Sequence, residues 1–525
     1  MITGSMLIGS NEVTGQSAMV YGINPANGEK LEPGYAGGTQ ENVDLACALA
    51  VDAFDTFRNL PLEKRASFME SVADEIMALG DELVERVMAE TGLPQMRVVG
   101  ERGRTVGQLR LFAQVVRDGL WQGARIDTAM PDREPLPRLD HRMRYVPLGP
   151  VAVFGASNFP LAFSVAGGDT TSAFAAGCPV IVKAHSSHPG TSELVGRAVQ
   201  KAVKDCELPE GVFSMLFGSG REVGSALVKH PAVKAVGFTG SQGGGTALMN
   251  LAAARPEPIP VYAEMSSINP VYLLPTALDT KPEAIAEGLV ASMLMGAGQF
   301  CTSPGLVFGV KGEGLDRFVA KLAEAMPGQG AQTMLSPVIH GSYVEGVAAM
   351  ESKDAVSTIA RSQDGDGPHT CCAALFRISA DGFINDHSLR EEVFGSCSLV
   401  VECDSFEQMI EATRGLEGQL TASVHATENE DVTQVMTLMS LLELKAGRLI
   451  WNGFGTGVEV CQSMVHGGPY PATSDSRTTS VGTAAIDRFL RPVCYQNMPD
   501  QFLPDAVKVE NPQQIVRMND GKVTV

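Results

Sequence analysis

No run of about eighteen apolar residues, the length a bilayer-spanning helix needs, occurs in the 525-residue chain. The N-terminus lacks a basic start followed by an apolar core, so no secretory signal is expected and the cytoplasm is the expected compartment. Basic side chains are scarce: 40 Lys and Arg stand against 60 Asp and Glu, a net charge of −20. That balance opposes nonspecific binding to nucleic acid or to anionic membranes and leaves small molecules as the expected partners. The ten cysteines contain no Cys-x-x-Cys pair, and no histidine lies at zinc-finger spacing, so neither a disulfide framework nor a structural metal is indicated. Cys371-Cys372 is a vicinal pair to which no role is assigned. Internal repeats and low-complexity tracts are also missing. The opening Met1 to Met6 reads as an unimportant leader.

The length suggests roughly three domains. Val43, Ala46, Ala50, Phe54 and Phe57 recur at helical spacing, a second helical run covers about 66 to 89, and residues 41 to 120 as a whole read as helices. From 148 onward, short β-branched runs alternate with helical segments: Val151–Phe154, Val180–Val182, Val212–Phe217, Val233–Phe238 and Val261–Ala263. Such alternation predicts a parallel sheet covered by helices on both faces. A second series begins at Val271–Leu274, passes through Leu306–Val310 and ends near 450, which predicts a second α/β domain. Residues 125 to 147 and the stretch after about 485 are irregular and too short to be domains.

Two glycine turns follow predicted strands and precede predicted helices. In Gly218-Ser219-Gly220-Arg221-Glu222-Val223-Gly224 the third glycine comes one residue later than in the dinucleotide fingerprint, so this turn alone is weak evidence. Phe238-Thr239-Gly240-Ser241-Gln242-Gly243 repeats the context, and the succession favours a nucleotide held on backbone amides at helix N-termini. Farther on, Gly298-Gln299-Phe300-Cys301-Thr302-Ser303-Pro304-Gly305 sets one thiol among small residues, with Glu264 upstream. A thiol attacks a carbonyl carbon as its thiolate, so a partly open setting that stabilises negative charge marks Cys301 as a nucleophile.

In their order along the chain these segments resemble the aldehyde dehydrogenase superfamily, from about residue 20 to about 500. Ala156-Ser157-Asn158-Phe159-Pro160 is similar to the family's asparagine turn, Lys183 to its ribose-binding lysine and Phe238-Thr239-Gly240-Ser241 to the turn beside the pyrophosphate. Ala263-Glu264-Met265-Ser266-Ser267-Ile268-Asn269-Pro270 resembles the general-base segment, with Ser-Ser for the usual Gly-Gly. Glu391-Glu392-Val393-Phe394-Gly395-Ser396 resembles the Glu-Glu-x-Phe-Gly-Pro segment, with serine for proline. Within the superfamily, Lys183-Ala184-His185-Ser186, Gly167-Gly168-Asp169-Thr170 and His466-Gly467-Gly468-Pro469-Tyr470-Pro471 look most like the branch that oxidises α-ketoglutaric semialdehyde, the NADP-linked fatty-aldehyde branch being a close relative.

The resemblance implies an α/β fold with a Rossmann-like cofactor domain (1–124 and 148–265), a catalytic domain (266–468) and a small β oligomerisation arm (125–147 and 485–510), assembled as a homodimer or homotetramer. It also implies that Lys183 and Glu392 bind the two riboses of NADP or NAD, with Gly220, Gly240 and Ser241 along the cofactor and Phe394 packed on its nicotinamide side. The residue types fit the chemistry: Cys301 adds to the aldehyde, Asn158 and the Cys301 N–H hold the alkoxide, and Glu264 activates water. Glu264, beside Met265, is expected to have a raised pKa. Ser186 stands where many NAD-linked relatives carry a glutamate, so a 2′-phosphate meets no repulsion, and NADP is expected to be preferred with NAD still usable. Arg104 is the candidate cation for a substrate carboxylate. Two alternatives compete with this enzyme: a catalytically idle nucleotide-binding relative, and a cysteine hydrolase, against which stands the lack of any histidine near position 301 in sequence, although folding can still bring one there.

Overall fold

The computed structural model describes residues 2–525. Four helices, Gln40–Arg58, Leu62–Ala78, Gly80–Thr91 and Gln95–Asp118, account for the region read as helical. The stripe of Val43, Ala46, Ala50 and Phe57 is buried, and Phe57 meets Phe68 and Phe174 edge-on at 5.9 and 6.1 Å between centroids. Phe54 of that stripe is only half-buried. The run expected over 66 to 89 is not one helix. It breaks at Gly80, whose φ of 55° lies in the left-handed region that a residue without a Cβ adopts readily.

The first large sheet has the spatial order Val261–Glu264, Ala235–Thr239, Val151–Phe154, Val180–Lys183, Phe213–Leu216, Met6–Ile8, Asn11–Val13. Its first five strands are parallel, and Val151–Phe154, Val180–Lys183 and Phe213–Leu216 are wholly buried, which explains their unbroken apolar character. The last two strands correct the expectation for the N-terminus. Met6 is buried in a strand that runs antiparallel to Phe213–Leu216, and Glu193 accepts hydrogen bonds from the N–H groups of Thr3 and Gly4 at 2.8 and 3.0 Å. The segment is therefore an integral edge of the sheet.

Chain order runs from Val151–Phe154 outward through 180 and 213, then returns to 235 on the other side. The reversal opens a crevice at the carboxyl ends of Val151–Phe154 and Ala235–Thr239, the place where open α/β sheets take ligands. A second large sheet has the order Ser357–Arg361, Ala374–Ser379, Cys397–Cys403, Leu306–Val310, Pro270–Leu273, Gln419–His425, Ala446–Trp451, parallel except for its first strand. Only residues 265–269 join Val261–Glu264 to Pro270–Leu273, so the carboxyl ends of the first sheet face the amino ends of the second.

The irregular stretches at 125–147 and after 485 meet in a five-stranded sheet, ordered Leu490–Gln496, His141–Pro147, Arg125–Asp127, Arg517–Asn519, Lys522–Thr524. This sheet extends past the boundary expected at 510. Among the described residues no helix is long and apolar enough to cross a membrane.

Candidate active site

Cys301 lies in the loop between the helix Pro282–Leu294 and the strand Leu306–Val310. A sharp turn precedes it, with Gly296, Ala297 and Gly298 all at positive φ. At Gly298 a Cβ would fall 2.3 Å from the Gly395 carbonyl carbon, so glycine lets this loop lie directly on the 391–396 segment. Asn269, at φ 49°, fixes the loop from below: its Nδ2 donates to the carbonyls of Cys301 and Ser303, each at 2.9 Å. Its Oδ1 accepts from the hydroxyls of Ser267 at 2.9 Å and Thr421 at 3.1 Å. Sequence reasoning gave Asn269 no role; its one local sign is an asparagine preceding a proline.

The carboxylate of Glu264 is buried at the end of its strand. Its Oε2 accepts from Ser480 Oγ at 2.7 Å, and its Oε1 lies 2.8 Å from His466 Nε2. The same imidazole nitrogen stands 3.4 Å from Cys301 Sγ. His466 is 1% exposed and comes from 165 residues beyond the cysteine, so the lack of a histidine near position 301 in sequence does not leave Cys301 without one. Folding supplies the one that proximity in sequence does not. The 466–480 segment reaches this position because Ala472–Ser474 runs beside the strand Val261–Glu264, its Ala472 carbonyl accepting from Met265 N at 2.8 Å.

These contacts reverse the expected electrostatics. Burial alone would raise the pKa of Glu264, but attraction to His466 and hydrogen bonds from His466, Ser480 and Cys301 outweigh it, and the carboxyl sits below its ordinary value. Cys301 moves the other way. Burial, the negative charge of Glu264 and the hydrogen bond that the thiol donates to it raise its pKa well above that of a free cysteine, with Arg104 pulling weakly downward. The resting pair is thus a neutral thiol and an ionised glutamate, in place of the thiolate and raised-pKa glutamate that sequence alone suggests.

Two cavities border the segments that carry this centre. One of about 340 Å³ is lined by Cys301, Thr302, Arg104, Phe159, Phe163 and Phe300, among others. Arg104 lies over the Phe163 ring at 5.1 Å, and its Nε donates to the Val458 carbonyl at a marginal 3.5 Å. Its Nη1 is buried without a hydrogen-bond partner among the described residues. Arg97 in the same wall is engaged, ion-paired to Glu101 at 2.8 Å and lying over Phe159 at 4.7 Å. Glu101 in turn accepts from the N–H groups of Leu161 and Ala162, each at 2.9 Å, which anchors the turn that carries Asn158. Asn158 donates from Nδ2 to the Gln299 carbonyl at 3.1 Å, two residues before Cys301.

On the other side, a cleft of about 760 Å³ runs along the sheet ends and brings together Ser241, Gln242, Gly243, Ser266, Ser267 and Glu392. Ser241 caps the helix Gln242–Ala253, its Oγ accepting from Gly244 N at 3.2 Å. Gly240 and Ser241 are exposed at the mouth. Burial pushes Glu392 up to about 8, against hydrogen bonds from the Ser266 hydroxyl and the Ser267 N–H. Phe394 lies in the wall that joins this loop to Phe300 and Gly298. Lys183 ends its strand almost fully buried, and desolvation lowers its pKa to about 8. Ser186, three residues on, is exposed. Gly220 begins a turn of π-helix after Phe213–Leu216 and is also exposed; a Cβ built at Gly220 or Gly243 meets nothing within 4 Å. Open space, backbone amides at a helix N-terminus and a buried lysine form a set that fits a dinucleotide.

A crevice at a strand-order reversal beside a half-buried cysteine and a buried glutamate defines a dinucleotide-dependent enzyme of covalent thiol chemistry. The model of the aldehyde dehydrogenase family matches residues 13–483, and the chain belongs to that family. It is 54% identical over 525 residues to alpha-ketoglutaric semialdehyde dehydrogenase 2 of Azospirillum brasilense, with 99% of each chain covered. To the alpha-ketoglutaric semialdehyde dehydrogenase of Acinetobacter baylyi it is 46% identical over 522 residues, again with 99% of each covered. Among solved structures, lactaldehyde dehydrogenase from Escherichia coli superposes with a TM-score of 0.80 at 21% identity, covering 94% of this chain and 98% of that one. A 3,6-anhydro-L-galactose dehydrogenase in complex with NAP gives 0.80 at 21% identity, covering 94% and 99%.

Proposed function

We propose that this protein oxidises α-ketoglutaric semialdehyde to 2-oxoglutarate with NADP, and less well with NAD, through a thioester on Cys301. The observation that carries the substrate choice is the unpartnered, buried Nη1 of Arg104 in the cavity that Cys301 lines. A buried guanidinium donor without an acceptor is costly, and a substrate carboxylate entering the cavity offsets that cost. The names of the two relatives, aligned over nearly the whole chain, support the same substrate.

In this reading Lys183 and Glu392 hold the riboses, Gly220, Gly240 and Ser241 border the phosphates and Ser186 faces the 2′ position. When bound, the nicotinamide supplies the hydride acceptor. Cys301 loses its proton toward His466 and Glu264 as Sγ adds to the aldehyde carbon, and Asn158 with the Cys301 N–H stabilises the alkoxide. The Asn158 amide has two N–H donors, so one can remain on the Gln299 carbonyl while the other meets the alkoxide. Once the thioester has formed, Glu264 takes a proton from water, which attacks the acyl carbon and frees the acid and the thiol. The five-stranded sheet is the proposed oligomerisation arm, since its edge strand Leu490–Gln496 pairs on one side only. The cytoplasm remains the proposed compartment.

Steady-state rates with α-ketoglutaric semialdehyde, pentanal and decanal, each with NADP and with NAD, test the proposal through the absorbance of the reduced cofactor. The semialdehyde is expected to give the highest kcat/KM. The aromatic lining of the cavity favours one competing outcome, a preference for decanal, which would move the protein to the fatty-aldehyde branch.

A further inference from the structure

Cys301 Sγ, His466 Nε2 and a Glu264 carboxylate oxygen all lie within 4.8 Å of one another. Thiolate, imidazole and carboxylate are the three side-chain ligand types that zinc prefers, and three protein ligands with an open fourth position are the pattern of accessible zinc sites. Around a tetrahedral ion with bonds of about 2.0 to 2.3 Å, neighbouring donor atoms stand roughly 3.3 to 3.6 Å apart. Here the Sγ to Nε2 distance is 3.4 Å and the Nε2 to Oε1 distance 2.8 Å. The Sγ to Nε2 pair therefore already fits ligand geometry of that kind, and the Nε2 to Oε1 pair must open by about half an ångström.

The ligands are also held from behind. Ser480 Oγ donates to the second Glu264 oxygen at 2.7 Å, Thr479 Oγ1 accepts from the His466 N–H at 2.8 Å, and Asn269 holds the Cys301 carbonyl at 2.9 Å. Such outer contacts orient ligands and raise affinity. The route in is the cavity of about 340 Å³ that Cys301 lines. Charge balances as well: a divalent ion meets one thiolate and one carboxylate, so the occupied centre is neutral and escapes the penalty of two buried anions.

We propose that the enzyme free of substrate binds one Zn²⁺ at Cys301, His466 and Glu264 and is reversibly inhibited by it. Zn–S, Zn–N and Zn–O bonds form, the thiol proton is released to solvent, and the ring proton of His466 moves from Nε2 to Nδ1, with no change of oxidation state. The sulfur lone pair and the carboxylate are then both engaged. Nucleophile and base are silenced together, and the thiol is shielded from oxidation.

Calorimetric titration of the chelator-treated, full-length enzyme with zinc chloride, in parallel with activity, tests this. One zinc per chain is expected, with activity falling as that ion binds and returning on addition of EDTA. Cys301→Ala and His466→Gln should each weaken this binding at least about a hundredfold, as expected when one of three ligands is removed. Cys494→Ser, at an exposed thiol outside the site, should leave binding unchanged. Cobalt(II) should give a thiolate-to-metal charge-transfer band that is absent in Cys301→Ala. Binding of reduced cofactor by both site variants serves as the check that they fold. Zinc uptake that is unaltered in Cys301→Ala, or inhibition that EDTA does not relieve, would overturn the proposal. The calorimetric and cobalt measurements need no aldehyde, so their failure and a failure of the substrate assignment are separate results.

Discussion

Replacing Arg104 by leucine separates substrate recognition from catalysis more cleanly than any other change in this cavity. In the wild type its guanidinium makes a stacking contact with Phe163 at 5.1 Å and a 3.5 Å bond to the Val458 carbonyl, the latter at the limit of a real hydrogen bond. Losing the stacking contact costs about 0.5–1 kcal/mol, and leucine recovers apolar contact with the ring, so Tm should fall by no more than about 3 °C. The loss of a charge-assisted pair to a substrate carboxylate is larger, about 2–3 kcal/mol. At about 1.4 kcal/mol per factor of ten, that predicts a rise in KM for α-ketoglutaric semialdehyde of about thirty- to a hundred-and-sixty-fold. Pentanal, of the same chain length and without charge, should keep its kcat/KM within about threefold. Because the pull of Arg104 on the Cys301 thiol is weak, kcat at saturation should fall only slightly for either substrate. Equal losses on the two aldehydes would refute carboxylate recognition by Arg104, and a collapse of Tm would show that its role is structural.

Cys301→Ala should abolish oxidation while leaving reduced-cofactor fluorescence titrations unchanged, since the thiol touches no phosphate site; appreciable turnover would contradict covalent catalysis. In Glu264→Gln, deacylation should slow more than hydride transfer, so stopped-flow absorbance should show a burst of reduced cofactor, and intact mass should show the acyl-enzyme. If neither appears, Glu264 acts before the thioester. Ser186→Glu should weaken NADP and spare NAD; equal effects would mean that the side chain faces away from the 2′ position. Lys183, brought down to about 8 by burial, is charged below that pH and neutral above it, so the affinity of the free enzyme for cofactor should fall as pH rises through about 8. Lys183→Gln should flatten that profile.

The parallel strands were legible because burial on both faces leaves an apolar signature at each of Val151–Phe154, Val180–Lys183 and Leu306–Val310. Strands of three residues carry no period to detect. Met6–Ile8 and Asn11–Val13, and likewise Arg517–Asn519 and Lys522–Thr524, owe their strand state to a neighbour already in place. The N-terminal hairpin exists because Phe213–Leu216 offers it an edge, a cause that no local window contains.

The same limit explains why Cys301 and Glu264 could be proposed from sequence while their electrostatics came out inverted. Cys301 and Glu264 sit in local segments whose residue types announce their chemistry. The groups that set their charge states come from 202 and 216 residues beyond the glutamate, where His466 and Ser480 lie. Met265, the neighbour in sequence, suggests an apolar surrounding and a raised carboxyl; the partners in space lower it. A proposed base already ionised at neutral pH needs no activation of its own, so in that mechanism the demand shifts to the thiol, which must lose its proton beside a carboxylate that opposes the charge. His466 Nε2 lies within reach of both atoms, and in the proposed mechanism it helps take the proton that Sγ gives up. Its position 165 residues from Cys301 places the decisive electrostatic partner in the tail that closes over the first sheet, and that closure is a property of the fold alone.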